Sequence, residues 1–197
     1  MSDPICRLPG NRALGTTFGV ALVLALLAQL NLQLTFRLVG HPVPLGAANL
    51  EPDPEVVRGW YALLIEQGTY LQMVRTELVD ILWAILLGFA VVTLNRFVGG
   101  LLRNVHRPIA SLLVRWAPLA AAGPAFDVVE NIFSLAMLTD PFGFPAWWSF
   151  AHAAASWAKI ITAIAAPAIG LTLTGMALVI ARGRRRAENA GKGLPSS

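Results

Sequence analysis

Charge is what this chain most lacks: 13% of its 197 residues are Asp, Glu, Lys or Arg, against 56% that are apolar. A water-soluble domain carries about a quarter charged residues and no more than about half apolar ones, so this chain cannot cover itself with polar surface. A soluble globular fold is excluded, and the mean hydropathy of +0.62 agrees.

Cysteine is nearly absent. Cys6 alone permits no intramolecular disulfide, no C-x-x-C dithiol and no cysteine-rich metal site. The three histidines, His41, His106 and His152, leave little for metal or haem ligation, and no Glu stands three residues before a His as in di-iron bundles. The chain also lacks G-x-S-x-G, H-E-x-x-H and a phosphate-cradling glycine loop. No cofactor or metal is expected, and nothing marks the chain as an enzyme.

Long apolar runs, by contrast, are abundant. Four of them, at roughly 14–39, 77–98, 108–138 and 147–181, reach the 18 or so residues that a membrane-crossing helix needs. A chain of this length cannot wrap four such helices in polar neighbours. The expected fold is therefore all-α: an integral membrane bundle of four transmembrane helices, folded as a single membrane domain. Arg7 and Arg12 before the first run imitate a secretory signal, but the run is longer than a signal's apolar region and no A-x-A cleavage site follows. It is expected to be retained as a helix.

Orientation follows from where Lys and Arg cluster. Residues 1–12, 95–115 and the tail 182–197 together carry a net +9, whereas the connections 40–76 and 139–147 carry −3 and the spans −2. Both termini are expected in the cytoplasm of a multi-pass protein of the cell (plasma or inner) membrane, with the acidic loops outside. The overall +4 and the pI near 10.0 are thus a topology signal, and no nucleic-acid partner is expected. The tail from Arg182 onward reads as a disordered basic anchor.

The first outer connection is long enough to be structured. Asp53-Pro54 offers an N-cap with proline at the first helical position. Val56, Val57, Trp60, Tyr61, Leu63 and Leu64 then share one face, with Glu55, Arg58, Ala62 and Glu66 opposite, up to Gly68. This predicts an amphipathic interfacial helix at roughly 54–67, at the headgroup level that Trp147 and Trp148 also mark.

Ionisable groups inside spans are costly, about 2.5–3.5 kcal/mol each, so they point to function. Asp127, Glu130, Asn131 and Ser134 share one face of the third span; His152, Ser156 and Lys159 share one face of the fourth. Lys159 is one of only two lysines, and a desolvated lysine, unlike arginine, can release its proton. Glu77 and Asp80 stand one turn apart in the second span, and Gln29, Gln33 and Arg37 recur every four residues in the first. These stripes predict an outward-facing polar pocket lined by Gln33, Arg37, Asp80, Asp127, Glu130, Asn131, His152 and Lys159, with Glu130 facing the interior near Lys159. Pro124 is expected to kink the third span before Asp127 by freeing the Ala120 carbonyl.

Two functions fit. One is a site for a small solute, cation or proton. The other is a non-catalytic assembly or regulatory subunit, a homo-oligomer or a membrane partner of another protein, whose buried polar residues only fix helix packing. In either case the lipid bilayer is the primary partner.

Overall fold

The computed structural model describes residue 5 and residues 8–192; Cys6, Arg7 and the last five residues of the basic tail lie outside them. All the regular structure among the described residues is helical, with no strand. Four helices are long and apolar enough to cross a membrane: α1 (Asn11–Val39), α4 (Tyr70–Leu102), the segment Ala117–Thr139, and α7 (Trp147–Lys192), whose apolar stretch runs to Arg184. Between α1 and α4 lie α2 (Leu45–Ala48) and α3 (Pro54–Glu66). Large apolar side chains such as Leu26, Leu30, Phe89, Ile132, Ile164 and Leu171 are exposed. That surface suits hydrocarbon.

The third span begins later than its apolar run suggests. Its first part is a separate amphipathic helix, α5 (Arg107–Arg115), followed by a 3₁₀ segment (Ala117–Ala121) and then α6 (Ala122–Thr139). The cause is proline chemistry. Pro108 opens α5, and Pro118, which has no N–H to donate, falls in the 3₁₀ segment. Pro124 is the third residue of α6, where an N–H would have no intrahelical partner anyway. It starts this helix and does not kink it.

The tail also differs from expectation, since α7 continues as helix through Lys192. Residues 181–192 are mostly Ala, Arg, Glu and Lys, good helix formers, so the preceding helix propagates into them. Similarly α4 extends about two turns ahead of its apolar run and one turn past it.

The chain runs up and down. The connections 40–69 and 140–146 meet at one end, the loop end; the α4–α5 connection and the chain termini share the other. α1 packs along α4, α4 packs on α6, and α6 packs on α7. α1 buries its small residues Ala21, Ala25 and Ala28 together with Leu32, a spacing that lets two backbones approach closely in lipid. Gly123 does the same between α6 and α7: an added Cβ would sit 3.3 Å from the Ala163 backbone nitrogen.

At the loop end α3 caps the bundle. Asp53 accepts a hydrogen bond from the Glu55 N–H at its start, and Gly68, with φ of 72°, lies just past its end. Its buried face of Val57, Tyr61 and Leu64 joins Val39, Met73, Met137, Leu138 and Phe144 in one core. The Arg58 guanidinium donates to the Phe144 carbonyl at 2.8 Å and lies 4.8 Å from that ring's centre. The Tyr70 hydroxyl donates to the Leu138 carbonyl.

Candidate functional site

Helical spacing on α6 brings Asp127, Glu130, Asn131 and Ser134 onto one buried face, each at most 3% exposed. Opposite stands Lys159 of α7, one turn beyond Ser156. Its Nζ lies 2.8 Å from Asp127 Oδ1 and 2.7 Å from Glu130 Oε2. The first contact has hydrogen-bond geometry; the second is a close ion pair off the hydrogen-bond direction. A single ammonium thus bridges two carboxylates one turn apart.

From α4, Asp80 and Glu77 join the same interior, both buried. Asp80 faces Asp127, Glu130, Lys159 and Asn131, and Glu77 faces Ser134, Asp80 and Glu130. Four buried carboxylates therefore surround Lys159, which pairs directly with two of them, Asp127 and Glu130. If all were ionised the group would carry −3. Several of its polar atoms have no hydrogen-bond partner within the protein: Asp80 Oδ1, Asp127 Oδ2 and, about two turns from Lys159 toward the loop end, His152 Nδ1.

The loop between α1 and α3 closes the site. Asn49, just after α2, donates its side-chain N–H to Glu130 Oε1. Its own carbonyl accepts from the Ser156 hydroxyl at 2.6 Å, and the Pro52 carbonyl accepts from Ser149 at 2.8 Å. Behind this loop is a cavity of about 20 Å³ lined by His41, Asn49, Tyr61, Glu77, Ser134 and His152, among others. That is room for about one water molecule. Burial, and then the charge of Glu77, push the Tyr61 phenol well above its usual range. Burial lowers His41, against the opposing hydrogen bond to the Val43 carbonyl.

Of the residues expected to line the pocket, the structure brings together Asp80, Asp127, Glu130, Asn131 and Lys159, with His152 beside them. Gln33 and Arg37 do not join; both are exposed on α1. The buried stripe of α1 runs through Ala21, Ala25, Ala28 and Leu32 toward α4, and that register turns Gln33 and Arg37 outward. The four polar stripes therefore do not all converge. Conversely, Glu77 and Asn49 belong to the cluster. Glu77 was legible as one turn from Asp80, whereas an asparagine in a polar loop carries no signal that it will reach a membrane carboxylate.

The carboxylates are buried, and the Lys159 side chain is 21% exposed. The arrangement offers acceptors, one exchangeable ammonium and a water-sized space, and no group of three or more His, Cys, Asp or Glu among the described residues is placed to hold a metal ion. No protein family, curated protein or solved structure matches the chain, so its activity must be read from this geometry.

Proposed function

We propose that the chain is an integral membrane protein that binds and exchanges protons at the Glu77, Asp80, Asp127, Glu130 and Lys159 cluster, with both termini in the cytoplasm. The observation that carries this is the imbalance of four buried carboxylates around one ammonium beside a cavity of about 20 Å³. A pocket for a drug-sized organic solute occupies about 300 Å³ or more, far beyond that space. A proton needs no volume, and it removes the charge that burial penalises. Water in the cavity, flanked by His41 and His152, would connect Glu77 to the loop end.

A network built only for packing is less favoured. Such a network would pair its acceptors, whereas Asp80 Oδ1 and Asp127 Oδ2 have no hydrogen-bond partner within the protein. The orientation rests on the arginines: Arg96, Arg103, Arg107, Arg115, Arg182, Arg184 and Arg186 all belong to the end that carries the termini.

Infrared spectroscopy of the full chain in bilayers tests the site. The carbonyl stretch of protonated carboxyl groups should rise and fall with bulk pH, and should lose amplitude in Glu77→Gln, Asp80→Asn and Glu130→Gln while circular dichroism shows helicity retained. A wild-type protein with no pH-dependent carboxyl band over its folded range would end the proposal.

A further inference from the structure

The opposite half of the bundle holds a feature that the polar cluster does not use. Because the third span starts only at Ala117, nothing of that span separates α4 from α7 toward the termini end. Between α4 and α7, next to the core that Leu102, α5 and Ala177 form at that end, lies a cleft with two adjoining lobes, of about 270 and 360 Å³. Asn95, Leu113, Ala120, Ala166 and Gly170 line both lobes. Trp116 and Ile169 line only one of them, Leu94 and Leu171 only the other. The walls are apolar apart from Asn95, Thr174 and backbone. Asn95 directs its amide N–H to the Val91 carbonyl of its own helix, so its Oδ1 is turned toward Gly170, 3.8 Å from where a Cβ on that residue would lie.

The charge around this cleft has one sign. Residues 81–126 contain four arginines and no acid, and residues 160–187 another four and no acid. One of them, Arg115, is exposed and holds its guanidinium 5.8 Å from the centre of the Trp116 ring that lines the cleft. Tryptophan beside arginine is the pairing found at the headgroup level of membrane proteins. Apolar walls at the depth of lipid tails, a single amide where the two lobes meet and an arginine beside the rim match one kind of molecule. We propose that the cleft seats an acyl chain of an anionic glycerophospholipid, with its phosphate at Arg115 and Trp116.

Since lipid tails gain little by leaving other lipid tails for a protein wall, selectivity must come from the headgroup. The cleft supplies shape, and the arginines supply sign.

Native mass spectrometry of the full chain in detergent, exchanged against phosphatidylglycerol and phosphatidylcholine at equal concentration, tests this. Wild type should retain one phosphatidylglycerol in preference to phosphatidylcholine. Arg115→Gln should reduce that preference about fivefold, the effect of one basic residue near an anionic lipid surface. Gly170→Leu, which fills the cleft, should reduce retention of both lipids at least tenfold. Equal retention of the two lipids by wild type, or undiminished retention by Gly170→Leu, would overturn the proposal. So would a wild-type dimer that Gly170→Leu converts to monomer, since the occupant would then be a second copy. Should Gly170→Leu fail to fold, the exposed Arg115→Gln decides alone, and an unchanged lipid preference in it refutes the assignment.

Discussion

Replacing Lys159 with Met removes the only ammonium from the interior of the polar cluster and leaves the shape of the side chain nearly intact. Its Nζ touches Asp127 at 2.8 Å and Glu130 at 2.7 Å, and both carboxyl side chains are 1% exposed. Breaking a buried pair by removing one partner costs about 3–5 kcal/mol, because the remaining charge stays uncompensated. In a chain of this length each kcal/mol shifts the melting midpoint by about 2–4 °C. Tryptophan fluorescence melting in detergent should therefore show Lys159→Met about 6–20 °C below wild type. Adding Asp127→Asn and Glu130→Gln to the same chain removes both stranded charges and should recover most of the loss. The deficit of the single variant should also shrink as pH falls, since a carboxyl that has taken a proton needs no counter-ion. A single variant melting within about 2 °C of wild type, or a triple variant no better than the single, would refute the idea that Lys159 holds the cluster together.

Three further outcomes follow from other parts of the fold. Gly99→Ala would place a Cβ 2.6 Å from Val114 Cγ2 and 3.1 Å from the Ala110 carbonyl oxygen; overpacking of this kind costs about 1–3 kcal/mol, so the melting midpoint should fall by several degrees. Asp53→Ala removes the N-cap of α3 and should cost about 1 kcal/mol, read as faster hydrogen exchange over 54–66 with the membrane helices unchanged. His41 is lowered by burial, so it stays neutral in the folded loop while an unfolded histidine takes up a proton; stability of the 40–52 loop should be full above pH 6.5, the ordinary histidine value, and decline below it. Trp60 packs edge-on to His41 at 5.0 Å, so its emission should report that decline, and His41→Asn should abolish the pH dependence.

Sequence periodicity made the α6 face legible because a single helix supplies it: Asp127, Glu130, Asn131 and Ser134 follow the helical repeat whatever surrounds them. The pairing with Lys159 was legible too, since an ammonium and two carboxylates buried in apolar spans have few alternatives to each other. What periodicity cannot state is which neighbour a face meets. On α1, Gln29, Gln33 and Arg37 form a stripe as regular as that on α6. The alanine stripe wins the contact with α4 because small residues permit closer packing; Gln33 and Arg37 are turned away, and Gln29 is left partly buried at the edge. The start of the third span was hidden for a different reason. Hydropathy sees Ile109 to Val114 as apolar, whereas the proline at 118 and the charged ends of α5 decide that this stretch forms a separate amphipathic helix. Asn49 lay beyond local reasoning, since its place over Glu130 depends on the whole path of the loop.

The late start of α6 ties the two halves of the molecule together. α6 has 18 residues and rises about 27 Å, whereas α4 with 33 rises about 50 Å and α7 with 46 about 69 Å. Wherever α6 is present it spaces α4 from α7 closely enough for Asp80, Asp127 and Lys159 to share one interior. Where it is missing, α5 packs with α4 and α7 in a second apolar core around Leu102, Leu113 and Ala177, and beside that core an apolar cleft stays open. The polar cluster therefore sits in the half that the bundle can close, under a cap of α2, α3 and the Asn49 loop. In lipid this division is stabilising. Four carboxylates in the open half would face hydrocarbon, at about 2.5–3.5 kcal/mol each, while in the closed half they meet an ammonium, an amide and a water-sized space. A substitution that lets α6 begin one turn earlier, such as Pro118→Leu, should accordingly narrow the cleft and leave the Lys159 pairing in place.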